Sequence, residues 1–173
     1  QKIAVVGAGF IGRSWAMVFS KAGHHVSLYD IDPAALSEAM NLLEINIADL
    51  ESNGLISSKD DLLGRIQPYK TLEGAVEEAE WVQENALENV QIKRELFSRM
   101  DELLPETTIL ASSTSAIPCS DISNGMKGAG RIIVAHPANP PYLLPIVELS
   151  GAPETKDETI FRAKELLEAA DME

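Results

Sequence analysis

A single cysteine, Cys119, and a shortage of basic residues first say what this chain is not. One thiol cannot build an internal disulfide framework and fits a reducing compartment, so a cytoplasmic protein is expected. Fourteen Lys and Arg stand against 27 Asp and Glu, a formal net charge of −13. Nucleic-acid phosphates need basic surface, so nucleic acid is excluded as a partner. No run approaches the roughly 18 apolar residues that span a membrane. The opening "QKIAVVGAG" lacks the basic-then-apolar order of a signal peptide. With no second set of His, Cys or acid at ligand spacing, no metal site is predicted. His24 and His25 read as surface residues, Cys119 as an incidental thiol, and Trp15 and Trp81 as packing residues.

What is present suits one α/β domain. "KIAVVGAG" is an apolar run ending in glycines, the mark of a buried parallel strand. A helical pattern follows from Ile11 to Ala22, with Gly23 as its stop, and "HVSLYD" reads as a second strand. Asp32-Pro33 opens a long helix with Asp as N-cap, and Leu36, Met40, Leu43, Ile47 and Leu50 form its apolar stripe. "RIQPYKT", "EWVQEN", "TTILASST", "RIIVAH" and "LPIVELS" read as further strands. "LEGAVEEA" and Val90 to Leu104 read as helices. The last helix opens at "TKDE", a capping box at Thr155 and Glu158, and runs to about Ala170. Strands alternating with helices predict a Rossmann-type, doubly wound, mainly parallel sheet over residues 1–173. The ending "AADME", directly after a helix, reads as a cut at a domain boundary.

"VVGAGFIG" places Gly7-x-Gly9-x-x-Gly12 between strand and helix. Gly7 permits the tight turn, Gly9 lets backbone approach a pyrophosphate, and Gly12 lets the helix pack on the strand. The helix N-terminus adds unpaired N–H groups and the positive end of a dipole. Asp30, at the end of the second strand, suits the hydroxyls of an adenosine ribose and repels a 2′-phosphate, which favours NAD over NADP.

A second constellation lies in "IIVAHPANPPYLLPIVEL". His136 ends a predicted strand on the side where open α/β sheets bind ligands, and Glu148 lies on the next strand. A neutral His can take an alcohol's proton near physiological pH, and a carboxylate on its other ring nitrogen stabilises the imidazolium. The prolines between the two stiffen the connection, so that the pair can be held ready. The hydroxyls of "SSTSA" and the Asn139 amide offer partners for a substrate oxygen. Spacing alone leaves a second reading open: a surface-turn His, a solvated Glu and a turn-filling hydroxyl cluster.

The strings "VVGAGFIGRSWAM", "LYDID", "SSTSA" and above all "HPANPPYLLPIVEL" resemble the NAD-binding domain of the 3-hydroxyacyl-CoA dehydrogenase family over essentially the whole chain. The resemblance implies His136 as catalytic base and Glu148 as its partner, with Ser115 and Asn139 contacting the reacting oxygen. It adds Phe10, Ile11, Glu88 and Lys93 to the NAD site with Gly7, Gly9, Gly12 and Asp30. Glu88 and Lys93 otherwise read as ordinary helix-start residues. It implies a hydroxyl-oxidising enzyme whose small-molecule substrate is a free 3-hydroxy acid such as L-gulonate, a 3-hydroxyacyl-CoA, or a carnitine-like acid. Members of the family carry a second, all-helical domain that closes over the substrate, supplies an Asn and forms a homodimer. Nothing in these residues matches it. A nucleotide-binding structural protein without turnover is the competing expectation.

Overall fold

The computed structural model describes residues 1–173. Its elements run β1 (Lys2–Val6), α1 (Phe10–Lys21), β2 (His25–Tyr29), α2 (Pro33–Ser52), α3 (Lys59–Gly64) and β3 (Ile66–Tyr69). They continue with α4 (Leu72–Val76), β4 (Trp81–Glu84), α5 (Val90–Leu103), β5 (Ile109–Ser112) and α6 (Cys119–Ser123). A 3₁₀ turn then leads into β6 (Ile132–Pro137), β7 (Val147–Gly151) and α7 (Asp157–Ala169). One seven-stranded sheet has the order β3-β2-β1-β4-β5-β6-β7. All neighbouring pairs are parallel except β6–β7. This is the doubly wound order, with its switch point between β1 and β4.

Alternation along each strand builds two cores. Ile3, Val5, Leu28, Trp81, Ile109 and Ile133 pack on one face with α1, α2 and α7. Ala4, Val6, Val82, Leu110, Ile132 and Val134 pack on the other with α4, α5 and α6. Trp15 and Trp81 are fully buried, and Trp15 stacks on Phe19 with centroids 5.0 Å apart. Such a pair contributes roughly 0.5–1.5 kcal/mol beyond its burial.

Local signals set the helix ends. Asp32 accepts from the Ala34 N–H at 2.8 Å with Pro33 behind it, and Gly23 takes φ +90° where α1 ends. Leu36, Leu43, Ile47 and Leu50 of the predicted stripe are buried, while Met40 is half-buried. α3 and α6 are short helices that no apolar periodicity announces. The capping box at Thr155 and Glu158 does not form. The Thr155 hydroxyl donates to Ile132 O at 2.9 Å and accepts from the Ala152 N–H, and Lys156 takes the cap position. Tethering to β6 outcompetes capping because Gly151 leaves room for the Thr155 side chain against the strand.

The segment from Ala138 to Ile146 is shorter than the dozen or more residues a parallel crossover needs, so β7 returns antiparallel to β6. No helix is long and apolar enough to cross a membrane.

Candidate cofactor and active site

The glycine turn lies at the carboxyl end of β1, beside the switch point. Gly7 has φ +95°, and a Cβ there would stand 2.6 Å from Asn85 O. A Cβ on Gly12 would stand 1.8 Å from Gly7 O, so the helix packs against the turn through bare backbone. Gly9 differs from both: a Cβ there would meet nothing within 4 Å, leaving open space in front of the N-terminus of α1. Two glycines thus serve the fold and the third keeps a surface clear. Phe10 and Ile11, on the first turn of α1, are exposed and half-buried. Asp30 Oδ2 accepts from the Ala8 N–H at 2.7 Å and Oδ1 from the Asp32 N–H at 2.9 Å, which ties the end of β2 to the turn. Cleared space, free helix N–H groups and a carboxylate at the next strand end fit a dinucleotide.

Across the switch point, Glu84 and Lys93 form an ion pair closed to solvent, 0% and 1% exposed, with Nζ 2.7 Å from Oε1. The Ser112 hydroxyl donates to Glu84 Oε2 at 2.6 Å and the Ala86 N–H to Oε1 at 2.6 Å. Lys93 also reaches Glu88 Oε2 at 3.5 Å, and the Glu88 side chain is 45% exposed. Glu88 further accepts from the Thr114 hydroxyl and the Ala116 N–H. Burial opposes ionisation of Glu88, yet the Thr114 hydroxyl, the Lys93 charge and the Ala116 N–H together hold its carboxyl below the ordinary value. Of Glu88 and Lys93, which otherwise read as ordinary helix-start residues, Glu88 therefore faces outward and Lys93 supports it from beneath.

His136 and Glu148 sit directly opposite in the β6–β7 register. Residues directly opposite on an antiparallel pair share a face, and His136 Nδ1 lies 3.0 Å from Glu148 Oε2. The side chains are 34% and 81% exposed. Ser115 lies in the loop beyond β5 and Asn139 just beyond β6, both exposed at the same carboxyl edge of the sheet. Neither makes a side-chain hydrogen bond within the chain. An apolar recess of about 270 Å³ lies apart from this pair, behind the proline segment, lined by Met17, Leu50, Ile56, Tyr142 and Met172 among others. No His, Cys, Asp or Glu cluster could hold a metal ion.

Sequence reasoning passed over Gln83 and Glu84, and it offered every hydroxyl of "SSTSA" to a substrate oxygen, whereas those of Ser112, Ser113 and Thr114 donate to Glu84, Asn85 and Glu88 within the chain. A parallel strand buried on both faces should be nearly all apolar. The polar pair closing "WVQE" was the available signal, since Gln83 and Glu84 are fully buried.

The description "3-hydroxyacyl-CoA dehydrogenase, NAD binding domain" fits residues 2–173. A lambda-crystallin homolog of Bos taurus is 40% identical over 95% of this chain and 52% of its own length. L-carnitine dehydrogenase of Streptomyces griseus is 39% identical over 90% of this chain and 46% of its own length. The crystal structure of 3-hydroxybutyryl-CoA dehydrogenase from Escherichia coli superposes with a TM-score of 0.96 at 28% identity, covering all of this chain and 37% of that one. The chain spans about half the length of the curated relatives it matches. With its glycine turn, Asp30 and doubly wound sheet, it belongs to the 3-hydroxyacyl-CoA dehydrogenase family, as that family's NAD-binding domain.

Proposed function

We propose that the full-length protein oxidises the hydroxyl of a 3-hydroxy substrate, with His136 as general base. The observation that carries this reading is the 3.0 Å contact between His136 Nδ1 and Glu148 Oε2 at the ligand-binding edge of the sheet. A neutral ring that donates Nδ1–H to the carboxylate leaves the Nε2 lone pair free for the hydroxyl proton. Glu148 then stabilises the imidazolium and keeps the ring in that tautomer. Ser115 and Asn139 orient the substrate oxygen from the segments that follow β5 and β6. Gly7, Gly9, Phe10, Ile11, Gly12 and Asp30 hold the pyrophosphate and adenosine portions of NAD, and Glu88, braced by Lys93, faces the opposite half of the cleft. Bound NAD supplies the acceptor for the hydride that leaves the carbinol carbon.

The substrate we favour is a free hydroxy acid. The "HPANPPY…VEL" string resembles that of lambda-crystallin, which is also L-gulonate 3-dehydrogenase, and the carnitine dehydrogenase relative acts by name on a free acid. The alternative is a 3-hydroxyacyl-CoA such as 3-hydroxybutyryl-CoA, supported by the structural neighbours. The same reading makes the protein cytoplasmic, and homodimeric through a helical domain beyond these residues. The test is NADH formation by full-length protein with L-gulonate, L-carnitine and 3-hydroxybutyryl-CoA. Turnover of either free acid in preference to the thioester supports the reading. NAD binding with no NADH from any of them would establish a binding protein without turnover.

A further inference from the structure

The strand that carries His136 outruns its neighbour. β5 ends at Ser112, level with Val134, while β6 continues to Pro137. Ala138 N–H donates to Ile146 O at 2.8 Å. Antiparallel pairing alternates, so the fully buried Ala135 turns its C=O away from β7, toward the space where β5 has stopped. A buried carbonyl left unpaired there would be costly. Gln83 fills the gap from two strands away, its Nε2 donating to Ala135 O at 3.3 Å.

The Gln83 amide is fully engaged. Nε2 also donates to Ser113 Oγ at 2.8 Å, and Oε1 accepts from Trp81 Nε1 at 3.0 Å. Ser113 Oγ in turn accepts from Trp15 Nε1 at 3.0 Å and donates to Asn85 Oδ1 at 2.7 Å. Asn85 lies under the glycine turn: Nδ2 donates to Gln83 O and Val6 O, and its carbonyl closes the space beside Gly7. One continuous set of hydrogen bonds thus joins the floor of the cofactor turn to the peptide bearing His136. Only an uncharged amide supplies the two N–H donors and one acceptor this requires; a carboxylate would face the Ala135 carbonyl with no proton to offer.

We infer that Gln83 is a positioning residue that fixes the Ala135–His136 peptide relative to the glycine turn through Ser113 and Asn85. The inference rests on the reading of His136 as base. The test uses full-length protein with Gln83→Leu, and with Ser113→Ala, which removes the hub without adding bulk and is read in the same way if the first variant does not fold. Three quantities are measured: kcat, the NAD Kd from protein fluorescence, and the ¹⁵N signals of the His136 ring, assigned against His136→Ala. The expected result is a fall in kcat of about tenfold or more, an NAD Kd within about threefold of wild type, and a His136 ring that no longer holds one tautomer. Unchanged ring signals would overturn the inference, whether kcat is retained or falls in step with NAD affinity as a general support of the fold would make it. If the wild type turns over no substrate, the base assignment fails on its own, and the ring signals still decide the role of Gln83.

Discussion

Lys93 and Glu84 meet in the interior with Nζ 2.7 Å from Oε1, and neither side chain is more than 1% exposed. Removing one partner of such a pair strands a buried charge, at a cost of roughly 3–5 kcal/mol. Lys93→Met should therefore lower the urea-unfolding free energy by about that much, and Lys93→Met combined with Glu84→Gln should recover most of it. A loss under about 1 kcal/mol in the single variant would mean that the pair does not hold this end of β4.

The three glycines of the turn should respond differently to the same methyl group. Gly12→Ala places a Cβ 1.8 Å from Gly7 O, so the turn must shift, and stability should fall by about 1–3 kcal/mol together with NAD binding. Gly9→Ala meets no protein atom within 4 Å and should melt like the wild type, yet bind NAD at least about tenfold more weakly because the methyl enters the space kept clear for the cofactor. Thermal melting and fluorescence titration separate the two. Equal NAD affinity in Gly9→Ala would remove the pyrophosphate from that position.

Asp30 holds the turn, its oxygens accepting from the Ala8 and Asp32 N–H groups, and the proposed NAD site gives it a second task. Asp30→Asn keeps an acceptor for the turn but removes the charge proposed to repel a 2′-phosphate. The ratio of NAD to NADP affinity should fall in Asp30→Asn, and Asp30→Ala should also weaken NAD itself. An unchanged ratio in both variants would end the role given to this carboxylate.

Glu88 gives a pH signature. Its carboxyl titrates below the ordinary value in the folded protein because the Thr114 hydroxyl, Lys93 and the Ala116 N–H outweigh burial. A depressed folded value stabilises above the unfolded carboxylate pKa, and that contribution is lost as pH falls through the lowered one. Wild-type stability should therefore drop more steeply than that of Glu88→Gln between about pH 5 and pH 3. Parallel curves from acid denaturation would show that these contacts do not bear on Glu88.

Much of this architecture is legible in the residues themselves. The helices α1, α2 and α5 announce themselves by periodicity and by Asp32-Pro33 and Gly23, and the strands by apolar runs ending in glycine, Asp or hydroxyls. The two functional clusters are legible as possibilities. What spacing cannot supply is register: only the pairing of β6 with β7 sets His136 opposite Glu148 rather than one residue away, on the other face. Nor does spacing reveal Gln83 and Glu84, because a polar pair at a strand end looks solvated until α1 and α5 cover it with Trp15 and Lys93. Thr155 misleads for the same reason, its hydroxyl being claimed by a strand distant in sequence.

The proton removal proposed for His136 is tested most directly by single-turnover NADH formation by full-length protein. His136→Ala should slow that step by about 10²–10⁴-fold while NAD binds as in wild type, and Glu148→Gln should slow it less. Turnover by His136→Ala within about threefold of wild type would contradict the mechanism.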